Sequence, residues 1–204
     1  MTRALLRLAA ICACAAALAG CISLLPKSKP AQLYRFGPPA AAAQSAASPS
    51  PRAVAVFRTN GTFQGESADD RMLAVTGGKA AYVAQSRWVA PASVLFDEAV
   101  SEAFDASPIR LIARGQQGRF AYALRLDVRN FEARYDGGPD AAPTVVVRVH
   151  AALNKADQTV VGEQIFEARA PAADNRVGAI VAAYDQALGE VLAKIVRWTA
   201  ASAV

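Results

Sequence analysis

Between Phe120 and Arg129 apolar and polar positions alternate: Phe120, Tyr122, Leu124, Leu126 and Val128 on one parity, and Ala121, Ala123, Arg125, Asp127 and Arg129 on the other. A period of two marks a strand with one face turned to a core. Phe131 then changes parity, which predicts a bulge near Asn130. Val145, Val147, Val149, Ala151 and Leu153 repeat the alternation with Arg148 and His150 opposite, and 159–169 reads as a third long strand. The joints at 136–140 and 154–158 are short, so these three strands are expected to form an antiparallel meander. Two earlier stretches are weaker. Val54, Val56 and Phe57 suggest a strand that turns at Asn60-Gly61, and 71–75 and 80–83 flank a hairpin turn at Thr76, Gly77, Gly78 and Lys79.

Elsewhere the period is helical. Pro91 suits the first position of a helix reaching about Ala106. Leu95, Ala99 and Ala103 lie beside Phe96, Val100 and Phe104 on one stripe of it, and Pro108 stops it. A longer helix, capped by Asp174 or Asn175, is expected to run to about Thr199. Its stripe is Val177, Ile180, Val181, Tyr184, Leu188, Val191, Leu192, Ile195 and Val196. A sheet and helices that are each apolar on one side can cover one another. The expected fold class is therefore α+β: an antiparallel sheet with two helices, a short central one and a long C-terminal one, packed on one face.

The first 21 residues follow a different logic. Arg3 and Arg7 precede an uncharged Ala/Leu-rich stretch that ends at Leu18-Ala19-Gly20-Cys21. This is the order of a secretory signal, and its end has the form of a lipobox, in which the Cys21 thiol receives a diacylglycerol. Residues 1–20 are thus expected to be a signal peptide and Cys21 the lipid attachment site. Residues 21–52 hold a short strand around Gln32–Phe36 and an Ala/Pro/Ser-rich stretch, 38–52, that is either a tether or a loop within the domain. Residues 53–204 form the α+β domain. No Asp follows the Ile22-Ser23 pair directly behind Cys21, which favours the outer membrane, facing the periplasm.

Candidate chemistry is sparse. The chain of 204 residues is 53% apolar and 19% charged, with a net charge of +5 that loses two units with Arg3 and Arg7. Of its 3 cysteines, Cys12 and Cys14 leave with the signal, so neither metal nor redox chemistry is expected. His150 is the only histidine, which disfavours a histidine-assisted nucleophile and any pair of His ligands. Thr76 to Lys79 lacks the glycine and hydroxyl residue of a phosphate loop. Gly115 to Gly118, framed by Arg110, Arg114 and Arg119, could hold an anion, a solvated loop being the plainer reading. No dense basic, aromatic-laced patch suggests nucleic acid. An enzyme is not expected, and the only cofactor-like group is the covalent lipid. Trp88 either packs beneath the first helix or faces a partner.

Taken in order, the lipobox cysteine, Tyr34 in its short strand, the Pro/Ala-rich stretch, the Arg71-led strand pair carrying Tyr82, Trp88 with Pro91 opening a helix, the meander and a last amphipathic helix with Trp198 resemble the ABC-type transport auxiliary lipoprotein family. One departure is Asp69-Asp70-Arg71, where members often carry Leu-Asp-Arg. The resemblance implies a non-catalytic component of a mammalian-cell-entry (MCE) lipid transporter. Its partners would be an MCE substrate-binding protein, a permease and an ATPase, docked at the outer membrane, with homo-oligomer formation left open. Tyr34, Arg71, Tyr82, Trp88, Pro91 and Trp198 are the candidate partner or packing residues. The rival reading is a structural lipoprotein that binds envelope machinery without a transport role.

Overall fold

The computed structural model describes residues 30–37 and 54–203. The lipobox, Leu18 to Cys21, and the stretch 38–53 lie outside the described residues. In chain order the elements are β1 (Gln32–Tyr34), β2 (Ala55–Arg58), a 3-10 turn at Gly65–Ser67, β3 (Leu73–Thr76), β4 (Lys79–Tyr82) and β5 (Ser86–Trp88). Helix α1 (Ala92–Asp105) and β6 (Arg110–Ile112) follow, then β7 (Tyr122–Arg134), β8 (Thr144–Lys155), β9 (Val160–Pro171) and helix α2 (Val177–Ser202). Among the described residues no helix is long and apolar enough to cross a membrane.

The meander is present: β7 pairs antiparallel with β8, and β8 with β9. The bulge lies where the parity changes, with the β7–β8 register shifting between Val128 and Asn130. The rest of the sheet corrects the expectation of a purely antiparallel arrangement. The second edge of β7 is shared by two strands, β2 against Tyr122–Leu124 and β3 against Ala133 and Arg134, and both run parallel to it. Strand β6 adds parallel to β2, and β1 pairs parallel with β5. Parallel neighbours need crossovers, and α1 sits between β5 and β6 in the chain. Two short strands fit on one edge because β7, at 13 residues, outlasts either of them.

Both helices share one core with the inward parity of β7 and β8. Leu95 and Phe96 of α1, Tyr184 and Leu188 of α2, and Leu124, Phe131, Val147 and Val149 of the sheet are buried in a single cluster. Aromatic rings join its parts: Phe96 to Phe63, Phe63 to Phe131, and Phe131 to Tyr184, at 5.8, 5.5 and 4.8 Å between centroids. Burial pushes the Tyr184 phenol far above its ordinary value, as expected of a hydroxyl sealed among apolar side chains.

Local signals differ from expectation by small, explicable amounts. Pro91 is the N-cap residue of α1 rather than its first helical residue, with extended ψ of 135°. At α2 the N-cap is Arg176, and neither Asp174 nor Asn175 occupies that place. Asp174 still serves the helix start, accepting the Arg176 N–H at 2.9 Å, while Asn175 is drawn to the Tyr135 hydroxyl and the Pro139 carbonyl. The hairpin turn is correct, with Thr76 opposite Lys79 and Gly77 and Gly78 at φ of 52° and 82°, which a two-residue turn of this kind demands. Asn60-Gly61 is not a hairpin turn: there the chain continues along β7, Thr59 N–H donating to Leu124 O and Val128 N–H to Thr62 O.

Candidate functional site: the cleft beside the first strand

Strand β1 lies against β5 in register, Leu33 opposite Arg87 and Tyr34 opposite Trp88. Strand β5 in turn is held by the loop before β3: Trp88 N–H donates to Asp70 O at 2.7 Å, and Ala92 N–H, at the start of α1, donates to Asp69 O at 3.0 Å. Three chain segments distant in sequence therefore meet around a cleft of about 360 Å³, lined by Leu33, Asp69, Asp70, Arg71, Trp88, Val89, Ala90 and Pro91.

Three of the six singled-out residues, Arg71, Trp88 and Pro91, line the cleft, and Tyr34 and Tyr82 stand next to two of them in the structure, Tyr34 opposite Trp88 and Tyr82 under Arg71. Trp88 is 2% exposed and forms the floor, its ring edge-on to Phe36 at 4.8 Å and to Tyr184 at 5.2 Å. Tyr34 is partly buried against the core. The Arg71 guanidinium lies 3.7 Å from the centre of the Tyr82 ring, a cation–π contact at the surface. Pro91 lines the rim. Trp198 is elsewhere, packed on Phe166 of β9 at 5.7 Å.

The strongest polar feature here is an ion pair between Asp70 and Arg87. Arg87 Nη1 donates to both carboxylate oxygens of Asp70, each at 2.8 Å, a charge-assisted contact in which one nitrogen is shared between two oxygens. Around it stand apolar side chains that meet water: Leu33 is 64% exposed, Val89 47% and Val94, in the first turn of α1, 45%. Exposed apolar groups rimmed by polar ones mark interaction surfaces. Sequence reasoning missed Leu33, although it sits on the solvent parity of β1; an apolar residue on a polar parity was the available signal. Asp70 carried none.

Two further places complete the survey. A groove of about 660 Å³ runs between α1 and α2, floored by Ala99, Ala103, Leu188, Leu192 and Val196. On the outer face of the sheet His150 stands between two carboxylates, Nδ1 3.5 Å from Asp127 and Nε2 3.4 Å from Glu163. Burial alone would raise the Asp127 carboxyl, but the Thr62 N–H and hydroxyl, Arg125 and His150 outweigh it and hold it below the ordinary value of 3.8. A carboxylate depressed on folding stabilises fully above its unfolded value and loses that contribution as pH falls through its folded one. Asp127→Ala is therefore expected to cost about 1–3 kcal/mol at neutral pH, with the difference from the parent shrinking as pH falls through the lowered folded value of this carboxyl. Urea titrations over pH 2–7 check it, and equal losses at both ends would refute the assignment. Among the described residues no group of three or more His, Cys, Asp or Glu side chains could hold a metal.

Comparison with known proteins agrees with this architecture. A crystal structure of a protein from Xanthomonas campestris superposes with a TM-score of 0.67 at 25% identity, covering 84% of this chain and 96% of that one. A second, an uncharacterized protein, gives a TM-score of 0.64 at 13% identity, over 83% of this chain and 99% of that one, and so shows the fold alone. No curated protein matches. The model of the ABC-type transport auxiliary lipoprotein component matches residues 66–196, a span that includes most of the cleft, both long hairpins and most of the last helix. The chain belongs to the ABC-type transport auxiliary lipoprotein family.

Proposed function

We propose that this protein is held in the outer membrane by a lipid on Cys21, faces the periplasm, and docks the MCE substrate-binding assembly of a lipid ABC transporter whose other parts are a permease and an ATPase. It works by binding and not by catalysis. The family match over residues 66–196 carries the reading, and the solvent-facing apolar side chains around the cleft supply a surface suited to it.

The anchor and the cleft are linked by a short stretch of chain. Gln32 follows Cys21 by eleven residues, which fully extended reach about 36–40 Å. Several acyl chains bind a bilayer almost irreversibly, since each buried CH₂ contributes about 0.8 kcal/mol. A body tethered so closely meets partners at a high effective concentration, so a modest interface suffices.

Two measurements test this. Cys21→Ala should move the protein from the membrane pellet to the soluble periplasmic fraction; continued sedimentation with membranes would remove the anchor from the account. In the lipidated protein, the pair Leu33→Asp and Val89→Asp should reduce recovery of the MCE protein on a tagged bait at least tenfold without altering the melting temperature by more than a few degrees. Undiminished recovery would place docking elsewhere.

A further inference from the structure

We propose that the recess between the end of β2, the first turns of α1 and the loop after β6 is a binding site for a singly charged oxyanion group, with the guanidinium groups of Arg58 and Arg114 as its ligands. The argument begins with Arg58, the last residue of β2, which is only 5% exposed. Its Nη1 donates to the Thr59 carbonyl at 2.8 Å, and its Nη2 stands 3.5 Å from Asp97 Oδ1. The Nε–H is buried and has no hydrogen-bond partner among the described residues. Leaving a buried donor unpaired costs about 1–3 kcal/mol, more when the group is charged.

Asp97 cannot answer that deficit. Its second oxygen is taken by Arg114 Nη2, so one carboxylate serves two guanidinium groups and one positive charge is left over. Asp127 also lies within electrostatic reach of Arg58, but its carboxylate is matched by Arg125 at 3.2 Å and by the Thr62 donors. Burial, and then the nearby charge of Arg114, lower the Arg58 guanidinium to about 10, with Asp127 opposing. Fastening α1 to the sheet through Asp97 needs one guanidinium, and two are gathered here on one carboxylate.

The recess defines what fits. It measures about 40 Å³, with Ser93 and Thr62 on its wall beside Phe63, Phe96 and Leu126. That is little more than the ~30 Å³ share of one water molecule, too small for a ring or an acyl chain. It is enough for the oxygen edge of a phosphate or carboxylate. Arginine is the side chain suited to such an edge, since its planar fork matches two oxygens. One surplus positive charge complements one negative charge, which describes dihydrogen phosphate and the phosphodiester of a phospholipid headgroup equally well.

The test uses the full chain in zwitterionic micelles at constant ionic strength, observing the Arg58 Nε–H signal by ¹H–¹⁵N correlation. Inorganic phosphate at pH 6 is titrated against chloride, and dihexanoyl phosphatidylglycerol against dihexanoyl phosphatidylcholine. A saturable shift of the Arg58 signal is expected. Arg114→Gln, at a side chain 39% exposed, should weaken the response at least tenfold, and Asp97→Asn, which removes the competing carboxylate, should tighten it severalfold. A response to both probes, or to phosphate alone, supports a site for the free ion; a response to phosphatidylglycerol alone supports the headgroup as its source. Absence of any response beyond chloride and phosphatidylcholine, or an undiminished response in Arg114→Gln, overturns the proposal.

Discussion

Trp88→Ala is expected to lower the unfolding free energy by about 3–5 kcal/mol, the usual cost of emptying a large buried aromatic site. The ring is sealed between Phe36, Tyr184 and the ends of β1 and β5. Its neighbours have little freedom to collapse into the space, because Phe36 is itself 1% exposed and Tyr184 is wholly buried against Phe131. Trp88→Phe retains most of the apolar volume and should cost about 1–2 kcal/mol. Equilibrium denaturation in urea checks both. If the alanine variant loses less than about 1 kcal/mol, the ring is not packed as described, and it becomes a candidate for direct contact with a partner.

Gly61→Ala should match it, at about 3–5 kcal/mol, although it adds a single methyl group; losses of this size for so small a change are exceptional and point to one cause. A Cβ at this position would fall 1.9 Å from the Leu126 carbonyl oxygen and 2.7 Å from its carbon. Both are backbone atoms of the central strand and cannot rotate away. The segment 59–64 would have to lift from β7, loosening the bonds Thr59 to Leu124 and Val128 to Thr62 and the Thr62 N–H bond to Asp127. Gly189→Ala is the control. It lies inside α2 with no atom near its would-be Cβ, so the gain in helix propensity should stabilise by about 0.5–1 kcal/mol. Thermal melts of the two variants should move in opposite directions; a shared direction would refute the close approach at Gly61.

Those two residues also show where the sequence was legible. Gly61 stood out as half of an Asn-Gly pair, and the local signal was real but was assigned to a turn. The constraint comes from a strand more than sixty residues later, which no local pattern announces. Long elements were readable for the opposite reason. In β7 to β9 and in α2 the period repeats often enough to fix type, face and even the bulge beside Asn130. Strands β5 and β6, of three residues each, have no room for a period. The parallel pairings depend on which short strand reaches the free edge of β7, a question of tertiary fit. The cleft was half visible: Arg71, Trp88 and Pro91 were named, but the wall that Leu33 supplies requires β1 to lie on β5. Arg58 gave no sequence signal at all, since its burial follows from its place at the end of a strand covered by α1.

The pairing of β1 with β5 has a mechanical consequence. Tension arriving from the N-terminal side enters the folded body at Gln32 and is borne first by a ladder three residues long, then by Phe36 and by the Gly37 N–H bonded to Asp185 at 2.8 Å. Next along the chain comes β2, held on both edges by ladders of three residues, and behind it the long strands share ladders of more than ten. Pulled from this side, the first strand is expected to part before the meander and its helices are strained.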